Sequence, residues 1–273
     1  MSTTSSKRAS RLSRYLLSNI HVELDVLVES ELLLLTFATG IQDAVSFPDF
    51  HCFASNQTGN TVLLATVAAG LVEDLVSWSS IGMSLAMFLA GGLVMGQIGN
   101  LVGGRRRLWL LLSSILQTAM VFAASAMQYF KGDRGRGHFA LGVIALLAFS
   151  SGSQVAMARA MQMPEITTAM ATAAWVDLVI DPGMLTRRNR SRNRRALFLF
   201  ALIAGSFAGA FAYGRGGSAF ALLMAAVGKT IVTAGFLINS RESSVPGEEG
   251  EGLPRRGRLG FKFAWEWVAV EEL

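Results

Sequence analysis

The chain has 273 residues, of which 52% are hydrophobic, with a further 28 glycines and only 16% charged. Soluble domains carry about 25% charged residues, so this composition excludes an ordinary soluble enzyme and a disordered regulator and points to a multi-pass membrane protein. The net charge of +5 and a pI near 9.9 do not indicate a nucleic-acid binder, because Leu32–Gly104 holds no Lys or Arg and the basic residues cluster between apolar runs.

In chain order, residues 1–30 read as a cytoplasmic tail. They are rich in Ser, Lys and Arg up to Arg14, hold four acids between His21 and Glu31, and end in a short helix on the membrane surface. A helix needs roughly 20 apolar residues to cross a bilayer. Leu32–Phe47 has 16 and includes Gln42 and Asp43, which predicts a short or broken span. Trp78–Gly104, Leu108–Phe130, Phe139–Ala158, Ala196–Gly214 and Gly216–Ile238 are long enough or nearly so, the last interrupted by Lys229. Thr58–Leu71 and Ile166–Val179 have 14 residues each, the length of a half-helix or re-entrant segment. Residues 241–273 mix Pro, Gly and charges and read as a second cytoplasmic tail. The expected architecture is an all-α polytopic bundle over 31–240, with about six spans and two short broken or re-entrant helices.

An internal repeat is also expected. Gly40-Ile41-Gln42-Asp43-Ala44 and Gly152-Ser153-Gln154-Val155-Ala156 stand 112 residues apart, each near the end of an apolar run. Thr58 opens one short helix and Thr172 lies inside the other, and the run from Leu108 matches the run from Ser218. Repeat one then covers about 31–130 and repeat two about 139–240. Basic residues in short loops favour the cytoplasmic side. Six spans put fourteen of them inside and four outside, whereas crossing by both short helices gives thirteen and five. Six spans make the two repeats inverted, and both arrangements leave both termini in the cytoplasm.

Candidate chemistry sits at polar interruptions. A carboxylate within a span costs about 2.5–3.5 kcal/mol on insertion scales and usually faces a cavity or the bundle interior. Asp43, beside Gln42, is such a group, and Lys229 is its candidate counter-charge, with Asp177 as the alternative acid. Ser55-Asn56-Gln57-Thr58-Gly59-Asn60-Thr61 is suited to a break between helical pieces: Asn or Thr caps the following helix, and Gly59 allows close approach. Pro164-Glu165-Ile166-Thr167-Thr168 repeats the theme. Gly205-x-x-x-Gly209 has the spacing that lets helix backbones approach, within the bundle or between copies. Catalytic, metal and cofactor sites are not expected: only His21, His51 and His138 occur, all outside the apolar runs, with one cysteine, Cys52, and no phosphate-loop or His-Glu-x-x-His pattern.

The pattern Thr39-Gly40-x-x-Asp43-Ala44-x-x-Phe47 followed by Phe53-x-x-Asn56-Gln57-Thr58-Gly59-Asn60-Thr61 resembles the YoaK-like family of uncharacterised multi-pass membrane proteins. Pro164-Glu165 and Ala171-Thr172-Ala173-Ala174-Trp175-Val176-Asp177 are similar to its fungal-type branch. The resemblance covers about residues 30–240 and implies about six spans, with no substrate attached. At Thr172-Ala173 this chain lacks the glycine expected of a bacterial-type second repeat. The leading expectation is a small-solute transporter whose site is lined by Gln42, Asp43, Thr58, Gly59, Asn60, Gln154 and Thr172, with Lys229 as counter-charge. The alternative is a non-transporting scaffold or assembly factor that binds partners or anionic lipids through the glycine faces and the Arg187–Arg195 loop. Expected partners are membrane lipid, an unknown small solute and a second copy of the chain, and no nucleic acid.

Overall fold

The computed structural model describes residues 15–19, 26–71, 77–131 and 137–239, and the expectations for the two tails lie outside these residues except at 15–19 and 26–30. Seven α-helices are formed among them: α1 Val26–Phe50, α2 Gln57–Ala68, α3 Trp78–Val102, α4 Arg107–Lys131, α5 His138–Ala160, α6 Ala171–Val179 and α7 Arg190–Gly235. The described residues hold no named strand, only an isolated bridge between Asn19 and Arg106. Helices α3, α4, α5 and α7 are long and apolar enough to cross a membrane.

The expected short span at Leu32–Phe47 is instead part of a 25-residue helix. Its acidic first turn adds to the apolar run, and a negative charge is favourable at a helix N-terminus. Thr36 and Thr39 donate their hydroxyls to the carbonyls of Leu32 and Leu35, so neither is left unsatisfied among apolar neighbours. The two runs expected at Ala196–Gly214 and Gly216–Ile238 belong to one helical stretch, broken at Gly217 by φ 77° and ψ 177°. That conformation is essentially confined to glycine, and the chain reverses there. Phe198 and Leu199 share a core cluster with Val232 and Phe236, while Ala212 joins Ala221 and Leu222 in another. Helix α7 is thus two antiparallel arms, 190–216 and 218–235.

Two helix crossings set the architecture, and both are built on glycine. A Cβ added to Gly40 in α1 would lie 2.5 Å from the Leu202 carbonyl oxygen, and one on Gly205 would strike the Phe37 carbonyl. In the other half, a Cβ on Gly152 in α5 would strike the Phe88 carbonyl, and one on Gly91 the Phe149 carbonyl. Phe37, Gly40 and Phe149, Gly152 are offset by 112; Phe88, Gly91 and Leu202, Gly205 by 114. The same four-residue contact is therefore made twice, between α1 and the first arm of α7 and between α5 and α3. In both the helices run parallel, since contacts climb in step: Phe37 with Gly205 then Ile41 with Gly209, and Gly92 with Gly152 then Gly96 with Ala156. Close approach lets dispersion and Cα–H contacts hold helices that have no hydrophobic drive to associate in lipid.

The outside of this bundle is apolar. Leu89, Leu93, Phe200, Phe207 and Phe211 are each more than half exposed. The inside carries many polar side chains, among them Thr39, Gln42, Gln117, Ser151, Gln154 and Lys229, all buried. Water would favour the reverse distribution.

Candidate functional site

Most of the expected residues fall in two places. Gln154 and Lys229 meet in the middle of the bundle, where the Lys229 ammonium donates to Gln154 Oε1 at 2.5 Å. Gln154 Nε2 in turn donates to Thr39 Oγ1 at 2.8 Å, which ties α5, α1 and the second arm of α7 together. The pairing expected between Lys229 and Asp43 or Asp177 is not formed. Asp43 accepts from the Ser55 backbone N–H at 2.8 Å and from the Ser55 hydroxyl at 2.5 Å, and Asp177 lies 3.8 Å from Arg195 on α7. The partner of the buried cation is a neutral amide, which a search for opposite charge does not find.

Gln42 is fully buried one turn along α1 from Thr39; its Nε2 donates to Ala38 O, and its Oε1 has no hydrogen-bond partner. The offset of 112 relates Gln42 to Gln154 and Thr39 to Ser151. At the two positions so offset from the bonded Thr39–Gln154 pair, the Ser151 hydroxyl and Gln42 Oε1 are both unpartnered. Gln117 of α4, which the same offset relates to Lys229, donates to Ser113 Oγ and has a third unpartnered oxygen, Oε1.

The second place is the loop between α1 and α2. Asn60 is fully buried and brackets the Phe53 backbone, accepting from its N–H and donating to its carbonyl, both at 2.8 Å. Its second N–H is shared between Gln57 Oε1 and Ser84 Oγ, at 2.8 and 3.1 Å from the nitrogen, which fastens α2 to α3. Asn56 caps α2 by accepting from the Gly59 N–H at 3.1 Å, and Gly59 has the Phe53 ring against it. With Asp43 on Ser55 and Ser46 Oγ accepting from Ala54 N–H, the polar groups of this motif are engaged with one another. The remaining two, Thr58 on α2 and Thr172 on α6, are exposed on separate helices and not joined to the central layer.

Sequence reading passed over two buried polar groups. Asp49 accepts from Gln128 Nε2 at 3.0 Å and Tyr213 OH at 2.7 Å, joining α1, α4 and α7. Arg107, expected in a loop, is fully buried; it donates to the carbonyls of Phe236 and Asn239 and lies over the Tyr15 ring. A cation on the last carbonyls of a helix is favoured by its dipole, and Arg107 closes the end of α7 in this way. At the same end Arg190 and Arg194 converge on Glu29. Cavities of about 360, 410 and 400 Å³ open elsewhere, lined by none of the eight expected residues.

Among the described residues no group of three or more His, Cys, Asp or Glu side chains is arranged to hold a metal. No curated protein and no solved structure matches the chain. The profile of a family described as "Protein of unknown function (DUF1275)" matches residues 32–235, well over half of the sequence, and the chain belongs to that family.

Proposed function

We propose that the protein is a small-solute permease with six membrane crossings, formed by α1, α3, α4, α5 and the two arms of α7. Its two halves are inverted copies of one unit, and both termini face the cytoplasm. The observation that carries this reading is the Thr39–Gln154–Lys229 layer, a fully buried lysine side chain in the middle of a bundle whose exterior is apolar. An ionisable group at such depth is expensive and usually lies on a solute or ion path. The doubled glycine crossing supports the repeat, and α1 and α5 run in opposite senses, as inverted copies must: the start of α1 clusters with the end of α5 and the end of α1 with its start. Midplane sites between inverted repeats are a recurrent transporter design.

The two offset pairs suggest how such a permease would alternate. Thr39–Gln154 is bonded while Ser151–Gln42 is not. Exchange of the conformations of the two halves would make the second bond and break the first. Flux of labelled monocarboxylates, amino acids and sugars into proteoliposomes tests the reading. Lys229→Met and Gln154→Leu should each reduce the detected flux at least tenfold, whereas Thr58→Ala and Thr172→Ala should leave it within twofold. Unchanged flux in Lys229→Met that remains monodisperse, or no flux of any solute in the parent protein, would overturn it.

A further inference from the structure

The central layer has an uneven supply of charge and hydrogen-bonding groups. Lys229 is fully buried and carries three N–H donors, with one hydrogen bond, to the neutral oxygen of Gln154. None of the ion pairs formed by described residues includes it. Burying an uncompensated charge is costly, so an occupant of this layer is favoured if it brings one negative charge. A zwitterion would leave the layer with a net positive charge and a dianion with a net negative one. A monoanion leaves it neutral.

The unpartnered atoms narrow the class further. Gln42 Oε1 and Gln117 Oε1 are acceptors that lack a donor, and the Ser151 hydroxyl is likewise unpartnered. Gln42, Gln117 and Ser151 are each no more than 2% exposed. A bare carboxylate or halide would satisfy Lys229 but could offer nothing to two amide oxygens and would be repelled by them. A hydroxyl next to the carboxylate supplies the missing donor. We propose, on the permease reading of this layer, that it takes a small hydroxy-monocarboxylate. The carboxylate would lie on the Lys229 ammonium and the hydroxyl would donate to an amide oxygen, that of Gln42.

Titration calorimetry on the purified full chain in detergent, with glycolate, L-lactate, acetate, glycine and chloride as probes, tests this. Glycolate and lactate should bind, and acetate about tenfold more weakly, the usual loss when a buried acceptor is left unpaired. Glycine and chloride should bind more weakly still. Lys229→Met should abolish glycolate binding. Gln42→Leu should bring glycolate down to the affinity of acetate while leaving acetate unchanged, a selective effect that a misfolded protein would not give. Equal affinities for acetate and glycolate, tighter binding of glycine, binding that survives Lys229→Met, or no binding of any probe would each overturn the proposal. Glycolate that binds but is not carried across proteoliposomes would overturn the permease reading and leave the site standing. Flux of another solute without glycolate binding would do the opposite.

Discussion

Asn60 illustrates how one polar side chain can replace a missing stretch of secondary structure. The chain leaves α1 at Phe50 and enters α2 at Gln57, and the backbone of Phe53 between them has no helical partner. Asn60 pairs with its N–H and carbonyl together, as a neighbouring strand would, and holds Ser84 of α3 with its remaining capacity. Removing one side of a buried hydrogen-bond set costs about 1–3 kcal/mol for the group left behind. Asn60→Ala should therefore destabilise the protein by about 2–3 kcal/mol. Thr58→Ala, at an exposed position in the same helix, should fall within about 0.5 kcal/mol of the parent. Denaturant unfolding in detergent distinguishes the two. The polar run 55–61 is visible in the sequence as a helix break with a cap, and Asn56 caps α2. What the sequence does not reveal is the direction of each side chain. Asn60 and Asp43 turn toward their own loop, Thr58 turns outward, and Lys229 finds an amide instead of an acid. Spacing along a helix identifies a face, but the neighbour on that face belongs to another part of the chain.

Helices in this bundle meet where their side chains vanish. At Gly40, Gly91, Gly152 and Gly205 an added Cβ would stand within 2.5 Å of a carbonyl oxygen of the opposing helix, a backbone atom that cannot turn aside. Alanine at any of the four must push two helices apart. The cost should be at least the 1–3 kcal/mol typical of overpacking. Gly82 of α3 has nothing within 4 Å of its Cβ position, so Gly82→Ala should be neutral or stabilising, by up to about 1 kcal/mol from helix propensity. Thermal unfolding of the five variants checks both directions, and an equal response at Gly82 and Gly91 would remove the close-packing explanation. Gly205-x-x-x-Gly209 reads as a packing face from spacing alone, but its partner, the Phe37–Ala44 face of α1 with Gly40 and Ala44 at the same spacing, lies more than 150 residues away, and spacing does not say that the two faces meet. The division of α7 is legible too, because Arg215 separates two apolar runs. The means of reversal, a single glycine at φ 77°, is not, since Gly214, Gly216 and Gly217 are equivalent candidates in the sequence.

At the scale of the molecule, composition foretells an all-helical bundle with an apolar exterior, because an inside-out distribution of side chains leaves its mark on total hydropathy. The number of crossings depends on the two short helices. α2 has 12 residues and α6 has 9. At 1.5 Å per residue they reach about 18 Å and 14 Å, well short of the roughly 30 Å hydrocarbon core. Asn56 and Leu71, which flank α2, are both exposed, whereas the neighbouring Ala54 is fully buried and would be silent to a labelling reagent. Single cysteines introduced as Asn56→Cys and Leu71→Cys in a Cys52→Ser background should therefore react with a membrane-impermeant maleimide from the same side. Arg187→Cys, in the basic segment before α7, should react from the opposite side. Reaction of Asn56→Cys and Leu71→Cys from opposite faces would make α2 a crossing element. The proposed inversion of the two halves would then fail, and with it the proposed exchange between the bonded Thr39–Gln154 pair and the unbonded Ser151–Gln42 pair.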